Sequence, residues 1–373
     1  MPDVEIMGMI GVNRERDSSR GVTVSLFGGG INPADEIPAG IDADYIAEFS
    51  QAHEASGFDK VLIGYSSATA EGFAVAGYAA SQTKSLGYLI AHRPGFVFPT
   101  LLARQAATLD QLTEGRIALH IISGGSDLEQ RRDGDWSDHD ARYRRTDEFM
   151  GVLSRVWTET APFDHEGEFY RFEQNLSEVR TFQKPGVPLY FGGASDVAKE
   201  VGAKRADVFA LWGEPKEAIK GQIADIRARA AKYGRTIRFS VSVRPILGDT
   251  EGEAWERARG ILERVKSSVG DNIGLGKPAR LQSEGSRRLL DFAAKGDIHD
   301  KRLWMPIAAT TGAAGNTTAL VGTAEQVAES LLAYHQAGAS AFIIRGFDPM
   351  QDTIDWGKEL IPMVRDGAAA LAK

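Results

Sequence analysis

The chain contains 373 residues, 43% of them apolar, and it can therefore bury a large core as one big domain or as two ordinary ones. It has no cysteine, which excludes disulfides, thiolate catalysis, iron–sulfur clusters and cysteine-bound zinc. Its formal net charge of −8 argues against a nucleic-acid partner, because no basic stripe with interleaved aromatic residues accompanies it.

Short β-rich runs alternate with amphipathic helical stretches along nearly the whole chain, as in repeated βα units around a parallel sheet. The predicted strands are Glu5–Ile10, Lys60–Ile63, Ser85–Ala91, Arg116–Ile122, Pro188–Phe191, Asp207–Leu211, Ile237–Leu247 and Ala339–Arg345. The predicted helices are Asp42–Ser56, Glu71–Thr83, Pro99–Leu112, Thr146–Thr158, Ser195–Arg205, Pro215–Tyr233, Glu251–Ser268 and Met350–Leu371. Most strands are unbroken apolar runs, which is typical of strands covered on both faces. The order and length predict an α/β protein, a single (β/α)8 TIM barrel over residues 1–373.

Three long insertions interrupt this regular order. They are Asn13–Gly40, Gly124–Arg145 and Gly270–Gly322, and a short hairpin is predicted at Asp164–Glu173. In barrels of this type the active site lies at the carboxyl ends of the strands, and the loops there carry specificity. We therefore place the insertions at that face, and we expect 270–322 to form a lid within the single domain.

The stretch Gly192-Gly193-Ala194-Ser195 is the clearest candidate for a ligand site. A buried strand ends there and a helix begins, so backbone N–H groups lie at the positive end of a helix dipole. The two glycines let the backbone approach a ligand closely. The turn thus predicts an anion site, with a phosphate as the natural guest. A tight turn in which Ser195 or Asp196 only caps the helix is an equally good interpretation of this stretch alone.

A second anion signal is Asp138-His139-Asp140-Ala141-Arg142-Tyr143, which closes the insertion after the fourth strand just ahead of a helix. Tyr143 would add a phenolic donor to the serine and the N–H groups of the glycine turn. Taken alone, the segment is better interpreted as a hydrated charged loop in which Tyr143 packs against its own helix.

Four blocks carry a family resemblance: RPGFVFPTLLARQAATLDQLTEGRIALHIISGGS, DHDARYRRTDEF, PLYFGGASDVAKE and WGEP. They resemble the bacterial luciferase-like flavin-dependent monooxygenases, and within them the alkanesulfonate and dimethyl-sulfone monooxygenase branch, from about Asp42 to the C-terminus. The resemblance implies a barrel enzyme that uses O2 and FMN as FMNH2, supplied by a separate NAD(P)H:FMN reductase. It also implies a homodimer or homotetramer. The residues agree on one point, since no G-x-G-x-x-G fingerprint marks a nicotinamide site.

The resemblance also assigns the cofactor site by matching position. The FMN phosphate is expected beside Tyr143, Gly193, Ala194 and Ser195, with His139 close by. The flavin ring is expected at the barrel mouth, beside Ser66, Ala91, His92, Ser123 and Trp212. A non-proline cis peptide is a candidate between Ala91 and His92.

The expected substrate is a small organosulfonate, oxygenated to sulfite and an aldehyde, and two arginines are the candidates to hold its anionic group. Arg244 stands in the seventh strand, where the sulfonate branch carries an Arg-x-His pair, and Arg288 matches a lid arginine. Phe347 replaces the family's tyrosine after the eighth strand. These departures give a polar sugar sulfonate such as sulfoquinovose, or another small sulfur compound, equal standing with an alkanesulfonate. A barrel-interior ion pair for Arg244 and a solvated helix face for Arg288 are the structural alternatives.

The predicted catalytic residues are Arg244, Arg288, His92 and Trp212. His92 is as good a candidate for a base near the flavin as for a core histidine, and His120, in mid-strand, is a weaker one. No H-E-x-x-H or clustered His/Asp/Glu spacing indicates a metal site.

Two rival enzyme classes and one non-enzymatic class remain open. Gly64-Tyr65-Ser66-Ser67-Ala68 is a poor match to a hydrolase nucleophile elbow. An F420-dependent oxidoreductase on the same barrel and a flavin-storage protein both share the expected fold. No apolar run approaches the roughly 20 residues that cross a bilayer and no signal segment is seen, so we expect a cytoplasmic protein without a membrane partner.

Overall fold

Eight parallel strands close into a barrel whose last strand pairs with its first. The computed structural model describes residues 4–14, 40–271, 283–313, 315 and 317–372. In chain order its strands are β1 (Glu5–Ile10), β2 (Lys60–Ile63), β3 (Gly87–His92), β4 (Ile117–Ile121), β5 (Phe163–Glu166), β6 (Arg171–Asn175), β7 (Leu189–Gly192), β8 (Val208–Trp212), β9 (Arg238–Leu247), β10 (Ile298–His299), β11 (Leu303–Trp304), β12 (Ala319–Gly322) and β13 (Ala341–Ile344). The barrel runs β1-β2-β3-β4-β7-β8-β9-β13 and closes from β13 to β1. The predicted (β/α)8 barrel is confirmed.

Helices cover the outside of the barrel. They are α1 (Ala43–Ala55), α2 (Gly72–Ser81), α3 (Pro99–Leu112), α4 (Asp127–Arg132), α5 (His139–Thr158), α6 (Asp196–Arg205), α7 (Lys216–Ala231), α8 (Glu251–Asp271), α9 (Glu284–Ala293), α10 (Pro306–Thr310), α11 (Ala324–Ala337), α12 (Pro349–Lys358) and α13 (Leu360–Ala372). The helix predicted as Met350–Leu371 is two helices that meet at Glu359, because Pro362 has no N–H to continue the first one. The predicted Asp164–Glu173 hairpin is β5 and β6.

The three predicted insertions lie only partly within the described residues. Most of 13–40 and residues 272–282 of the third insertion fall outside them. The second insertion contains α4 and the start of α5. The described part of the third forms α9 and α10 and also adds β12 to the sheet, parallel to the end of β9 beyond the barrel. Part of the predicted lid is therefore built into the sheet.

Side-chain alternation divides each barrel strand between two apolar layers. Inside the barrel, one cluster is formed by Met7, Met9, Leu62, Leu89, Ala91, Ala118, Tyr190, Val208, Ala341 and Ile343. The residues between them, such as Ile90, Leu119 and Phe191, pack outward against the helices. At the amino end of the barrel the Tyr190 hydroxyl donates to Glu5, which also pairs with Lys60. The carboxyl end is left as the open mouth.

No described helix combines the length and the apolar character that a membrane span requires.

Candidate active site

The glycine turn after β7 is shaped by close contacts that leave no room for side chains. A Cβ added to Gly193 would lie 2.5 Å from the Ala198 Cβ and 3.2 Å from the Tyr143 Oη. A Cβ on Gly192 would lie 2.9 Å from the Ala210 carbonyl oxygen. Both positions therefore require glycine, because the start of α6 packs directly against Gly193 and the neighbouring strand β8 packs against Gly192.

Ser195 is the N-cap of α6, and its Oγ accepts a hydrogen bond from the Ala198 N–H at 3.3 Å. The capping interpretation of Ser195 is thus correct. It leaves the earlier N–H groups of the first turn without intrahelical partners, as at every helix start. Asp196, the carboxylate that follows the cap, is paired with Arg229 at 2.9 Å. The turn can cap its helix and still present N–H groups to an anion.

Tyr143 forms the second wall of this turn. It lies in α5, which begins at His139, and its ring packs 6.3 Å from that of Phe191 and 4.8 Å from that of His139. Its hydroxyl oxygen lies against the glycine turn, 3.2 Å from where a Cβ on Gly193 would stand. Burial raises the pKa of Tyr143, so the phenol stays protonated and can donate a hydrogen bond. The structure therefore brings together five of the predicted residues, His139, Tyr143, Gly193, Ala194 and Ser195.

The mouth of the barrel beside this turn is lined by small side chains. Lateral pairing places Ala91 level with His120, Gly192 level with Ala210, and Ser242 level with Trp212. Ala91 lies in the interior cluster. Residues that stand level with one another on neighbouring strands point the same way, so the other residues of this layer also face inward. An alanine, a glycine, another alanine and a serine thus line this half of the mouth, together with His120 and Trp212.

His92 is not in this mouth. It pairs with Ile121, which packs in the outer layer, and its ring stacks on Phe149 of α5 with centroids 5.6 Å apart. Its side chain therefore points away from the interior, so the structure contradicts its placement as a base or a flavin neighbour. The peptide bond from Ala91 to His92 is trans, so the predicted cis peptide is not found there. Among the described residues the cis bond is Lys184–Pro185.

Ser66 and Ser123 follow their strands as expected, but both hydroxyls serve the local fold. The Ser66 Oγ accepts from the Ala68 N–H at 3.3 Å within a tight turn. Ser123 lies 2.9 Å from the Thr146 Oγ1, which itself donates to the Arg142 carbonyl oxygen. Ser123 thus ties the end of β4 to α5 and in this structure offers no free hydroxyl hydrogen to a ring.

Arg244 lies at the mouth end of β9, but its guanidinium faces the chain after β13. Its Nη2 donates to the Gly346 carbonyl oxygen at 2.7 Å, its Nε donates to that of Arg345 at 3.3 Å, and its guanidinium carbon lies 3.7 Å from the Phe347 ring centre. Burial lowers the pKa of Arg244, and the charge of Arg345 lowers it further. The neighbouring Asp352 carboxylate opposes these two effects on the pKa in part.

Arg288 lies on α9 and forms a two-pronged ion pair with Glu214, the glutamate of the WGEP block. Its Nε donates to Glu214 Oε1 at 2.8 Å, and its Nη2 donates to Oε2. Glu214 is buried and also accepts from Gln222 at 3.0 Å. The solvated-face interpretation of Arg288 is therefore wrong.

The same helix covers Trp212. A Cβ added to Gly285 would lie 3.0 Å from the Trp212 Cζ3, so the backbone of α9 rests on the indole. Trp212 ends β8 on its inward side and is half-buried beneath this helix. Helix α9 therefore lies over the mouth at β8, held there by Arg288 and Glu214.

A family model described as luciferase-like monooxygenase matches residues 22–341. The chain belongs to the luciferase-like monooxygenase family. Membership identifies it as a flavin-dependent monooxygenase, and the barrel mouth described above as the place where such an enzyme has its active site.

Solved structures similar to this luciferase-like monooxygenase share its fold at low identity. Riboflavin lyase (RcaE), solved with modified FMN and riboflavin, has a TM-score of 0.77 at 18% identity, over 98% of this chain and 92% of that chain. EDTA monooxygenase (EmoA) from Chelativorans sp. BNC1 has a TM-score of 0.73 at 17% identity, over 98% and 94%. An F420-dependent secondary alcohol dehydrogenase has a TM-score of 0.64 at 18% identity, over 86% and 94%.

The sequence of this monooxygenase does not predict a cluster of charged and aromatic residues around Arg93. Arg93 follows β3, is buried, and pairs with Glu129 and, at 3.4 Å, with Asp133. The Tyr65 hydroxyl donates to the same Asp133 at 2.9 Å, and the guanidinium lies 4.6 Å from the Tyr65 ring centre. The cluster fastens the insertion that contains α4 to the ends of β2 and β3. An arginine directly after a buried strand, in the RPG block, is the signal that could have revealed it.

Two buried histidines in the outer layer of the monooxygenase make its stability pH-dependent. Burial lowers the pKa of His53 and of His92 to about 4, and Arg93 lowers that of His92 further. The unfolded chain, with imidazoles near 6.5, binds more protons between those two values. The free energy of unfolding should therefore fall as the pH drops through this window, by at most about 3 kcal/mol per histidine. Urea denaturation across the window measures this, and His92→Phe should flatten the slope. An unchanged slope in that variant would contradict the assignment.

Among the described residues, no group of three or more histidine, aspartate or glutamate side chains is arranged to hold a metal ion.

Proposed function

We propose that this chain is an FMNH2-dependent, two-component monooxygenase that oxygenates a small organosulfonate, releasing sulfite and an aldehyde. Its electrons would come from a separate NAD(P)H:FMN reductase and its second substrate would be O2. A dimethyl-sulfone-type monooxygenase and an F420-dependent oxidoreductase are the alternatives on the same barrel.

The turn walled by Tyr143 is the observation that carries the FMN part of this proposal. The first-turn N–H groups of α6 and the phenol of Tyr143 are hydrogen-bond donors at the same turn. Gly193 has no side chain that would stand between them. Such a set suits the terminal phosphate of FMN. The small side chains Ala91, Gly192, Ala210 and Ser242 suit its ring. When bound, reduced FMN would supply electrons to O2, and the residues of this chain would bind and orient it.

Helix α9 is positioned to exclude water from the barrel mouth. Helix α9 lies over the mouth, with Trp212 beneath it, and it is held by the Arg288–Glu214 pair. A closed site protects reduced flavin chemistry from solvent protons. We propose that this helix is the lid over the reacting atoms.

Positive charge at the ends of β9 and β13 supports an anionic substrate. Arg244 and Arg345 lie close enough for the charge of one to lower the pKa of the other, after the effect of burial. A sulfonate or carboxylate near these strand ends would be attracted to both, while Arg288 holds α9 in place through Glu214. The sulfonate assignment itself rests on the resemblance of the four sequence blocks.

The product test separates these functions. The protein would be incubated with a flavin reductase, NADH, FMN and a panel of alkanesulfonates, sulfones and sugar sulfonates, and sulfite release would be measured. We expect sulfite from at least one sulfonate, dependent on protein, FMN and O2. Substrate turnover with reduced F420 in the absence of O2, and no sulfite from any compound, would contradict the proposal.

We also propose that the enzyme is a homodimer or homotetramer joined through the groove between α2 and α3. This groove is lined by Phe73, Leu101, Leu109 and Leu112, and Leu112 is 76% exposed at its edge. Apolar side chains exposed in such a groove, beside the polar Arg104, Gln105 and Thr108, are suited to contact with a second copy of the chain. Sedimentation velocity measures the assembly.

A further inference from the structure

His120 and His92 lie on neighbouring barrel strands but on opposite faces. His120 pairs laterally with Ala91 of β3 and with Tyr190 of β7, and both of those side chains belong to the interior cluster. Parallel partners in register point the same way, so the His120 ring lies inside the barrel. It is the last inward-facing residue of β4. His92, in contrast, stacks on Phe149 outside.

The His120 ring has hydrogen-bonding capacity that the described residues do not use. Its Nδ1 is buried and has no partner among them. The ring is half-buried, at the level where the interior meets the open mouth. Tyr190, its neighbour on β7, directs its hydroxyl to Glu5 at the opposite end of the barrel. A buried polar nitrogen without a partner is costly, so the position is suited to a group that arrives from the mouth.

His120 is also the polar exception among small side chains. Ala91 lies on one side of it, and Tyr190, on the other side, extends toward Glu5 and away from the mouth. The residues that follow on that side, Gly192 and Ala210, are small. Burial lowers the pKa of His120 to about 4, and no charged group contributes to that shift. The imidazole is therefore neutral near pH 7, with one N–H donor and one acceptor nitrogen.

The distance to the phosphate turn fits a single bound molecule. Tyr190, beside His120, stands two residues before Gly192, which is roughly 7 Å along a strand. That span is shorter than the ribityl chain and ring of a flavin.

We infer that His120 is the side chain inside the barrel that hydrogen-bonds the flavin ring and fixes its position over the mouth. This rests on the proposed function, because it takes flavin as the occupant of the mouth. His120 thereby takes the ring-contacting role that His92 cannot fill from the outer face.

Three variants and a titration test the inference. Oxidised FMN would be titrated into the wild type, His120→Leu, His120→Asn and His92→Leu by flavin fluorescence. We expect His120→Leu to weaken FMN binding about tenfold, as the loss of one such hydrogen bond does. His120→Asn keeps a donor and an acceptor and should stay near the wild type. His92→Leu, the matched control on the outer face, should not change the FMN affinity.

A second measurement needs no folded leucine variant. In protein with 15N-labelled histidine, the imidazole resonances that vanish in His120→Asn belong to His120, and they should shift when FMN is added to the wild type. Unmoved resonances, or equal FMN affinity in His120→Leu and His92→Leu, would overturn the inference while leaving the proposed function intact. A wild type that binds no FMN would overturn both.

Discussion

Replacing Gly193 with alanine should weaken FMN binding about tenfold or more. The new Cβ would meet the Ala198 Cβ at 2.5 Å, and neither atom belongs to a flexible side chain. The start of α6 or the ring of Tyr143 must therefore move, and the N–H groups and phenol that converge on the turn would separate. Overpacking of this kind costs about 1–3 kcal/mol of stability as well. Fluorescence titration with FMN and thermal denaturation would measure the two effects.

Gly221→Ala is the matched control for this substitution. Gly221 lies in α7, and a Cβ there would have nothing within 4 Å. Alanine should leave FMN binding unchanged and stabilise the helix by about 0.5–1 kcal/mol. Riboflavin, which has no phosphate, should distinguish the two variants much less than FMN does. Equal FMN affinities for Gly193→Ala and Gly221→Ala would show that the turn does not hold the cofactor.

Replacing Arg288 with methionine should release α9 from the mouth. The change leaves the carboxylate of Glu214 buried with Gln222 as its remaining side-chain partner, and breaking a buried pair in this way costs about 3–5 kcal/mol. Because Arg288 is 29% exposed, the lower part of that range is expected here. Amide hydrogen exchange in 284–293 should therefore become faster. In the reductase-coupled assay, each O2 consumed should yield more hydrogen peroxide and less sulfite than in the wild type.

The neighbouring arginine offers a control on the same helix. Arg287 is 62% exposed and pairs with Glu284 within α9 rather than with the barrel. Arg287→Met should leave both hydrogen exchange and sulfite yield close to those of the wild type. Unchanged exchange and an unchanged yield in Arg288→Met would rule out the lid role of this pair.

The fold and the phosphate turn could be predicted because their signals are local. Alternating β and α segments fix a barrel, and Gly192-Gly193-Ala194-Ser195 encodes a strand end, a close approach and a helix cap in four consecutive residues. Tyr143 could be linked to the turn because consecutive barrel strands, here β4 and β7, are neighbours. The split of the last predicted helix had a local signal too, since Pro362 stands within it.

The direction of the histidines had no comparable signal. Strands β3 and β4 are apolar on both faces, so the sequence pattern does not show which face is the interior, and a shift by one residue exchanges the two. The sequence therefore predicts His92 at the mouth and makes His120 the weaker candidate. Their outward and inward directions follow only from the register of Ala91 against His120.

The contacts of the two arginines could not be predicted for a different reason, because their partners are distant in sequence. Arg244 bonds to carbonyl groups about a hundred residues away, and Arg288 bonds to a glutamate 74 residues away. A backbone carbonyl as partner leaves no mark in the sequence at all. Glu214 did have a signal, since it lies in the WGEP block next to Trp212.

The measurement that tests the central claim most directly is an anaerobic titration with three reduced cofactors. The wild type and the Tyr143→Phe/Ser195→Ala double variant would each be titrated with reduced FMN, reduced riboflavin and reduced F420. We expect the wild type to bind FMN at least about tenfold more tightly than riboflavin, and more tightly than F420, because hydrogen bonds to a charged phosphate contribute about 1.5–3 kcal/mol each. The double variant should lose that preference. Equal affinity of the wild type for FMN and riboflavin, or tighter binding of F420, would contradict the account.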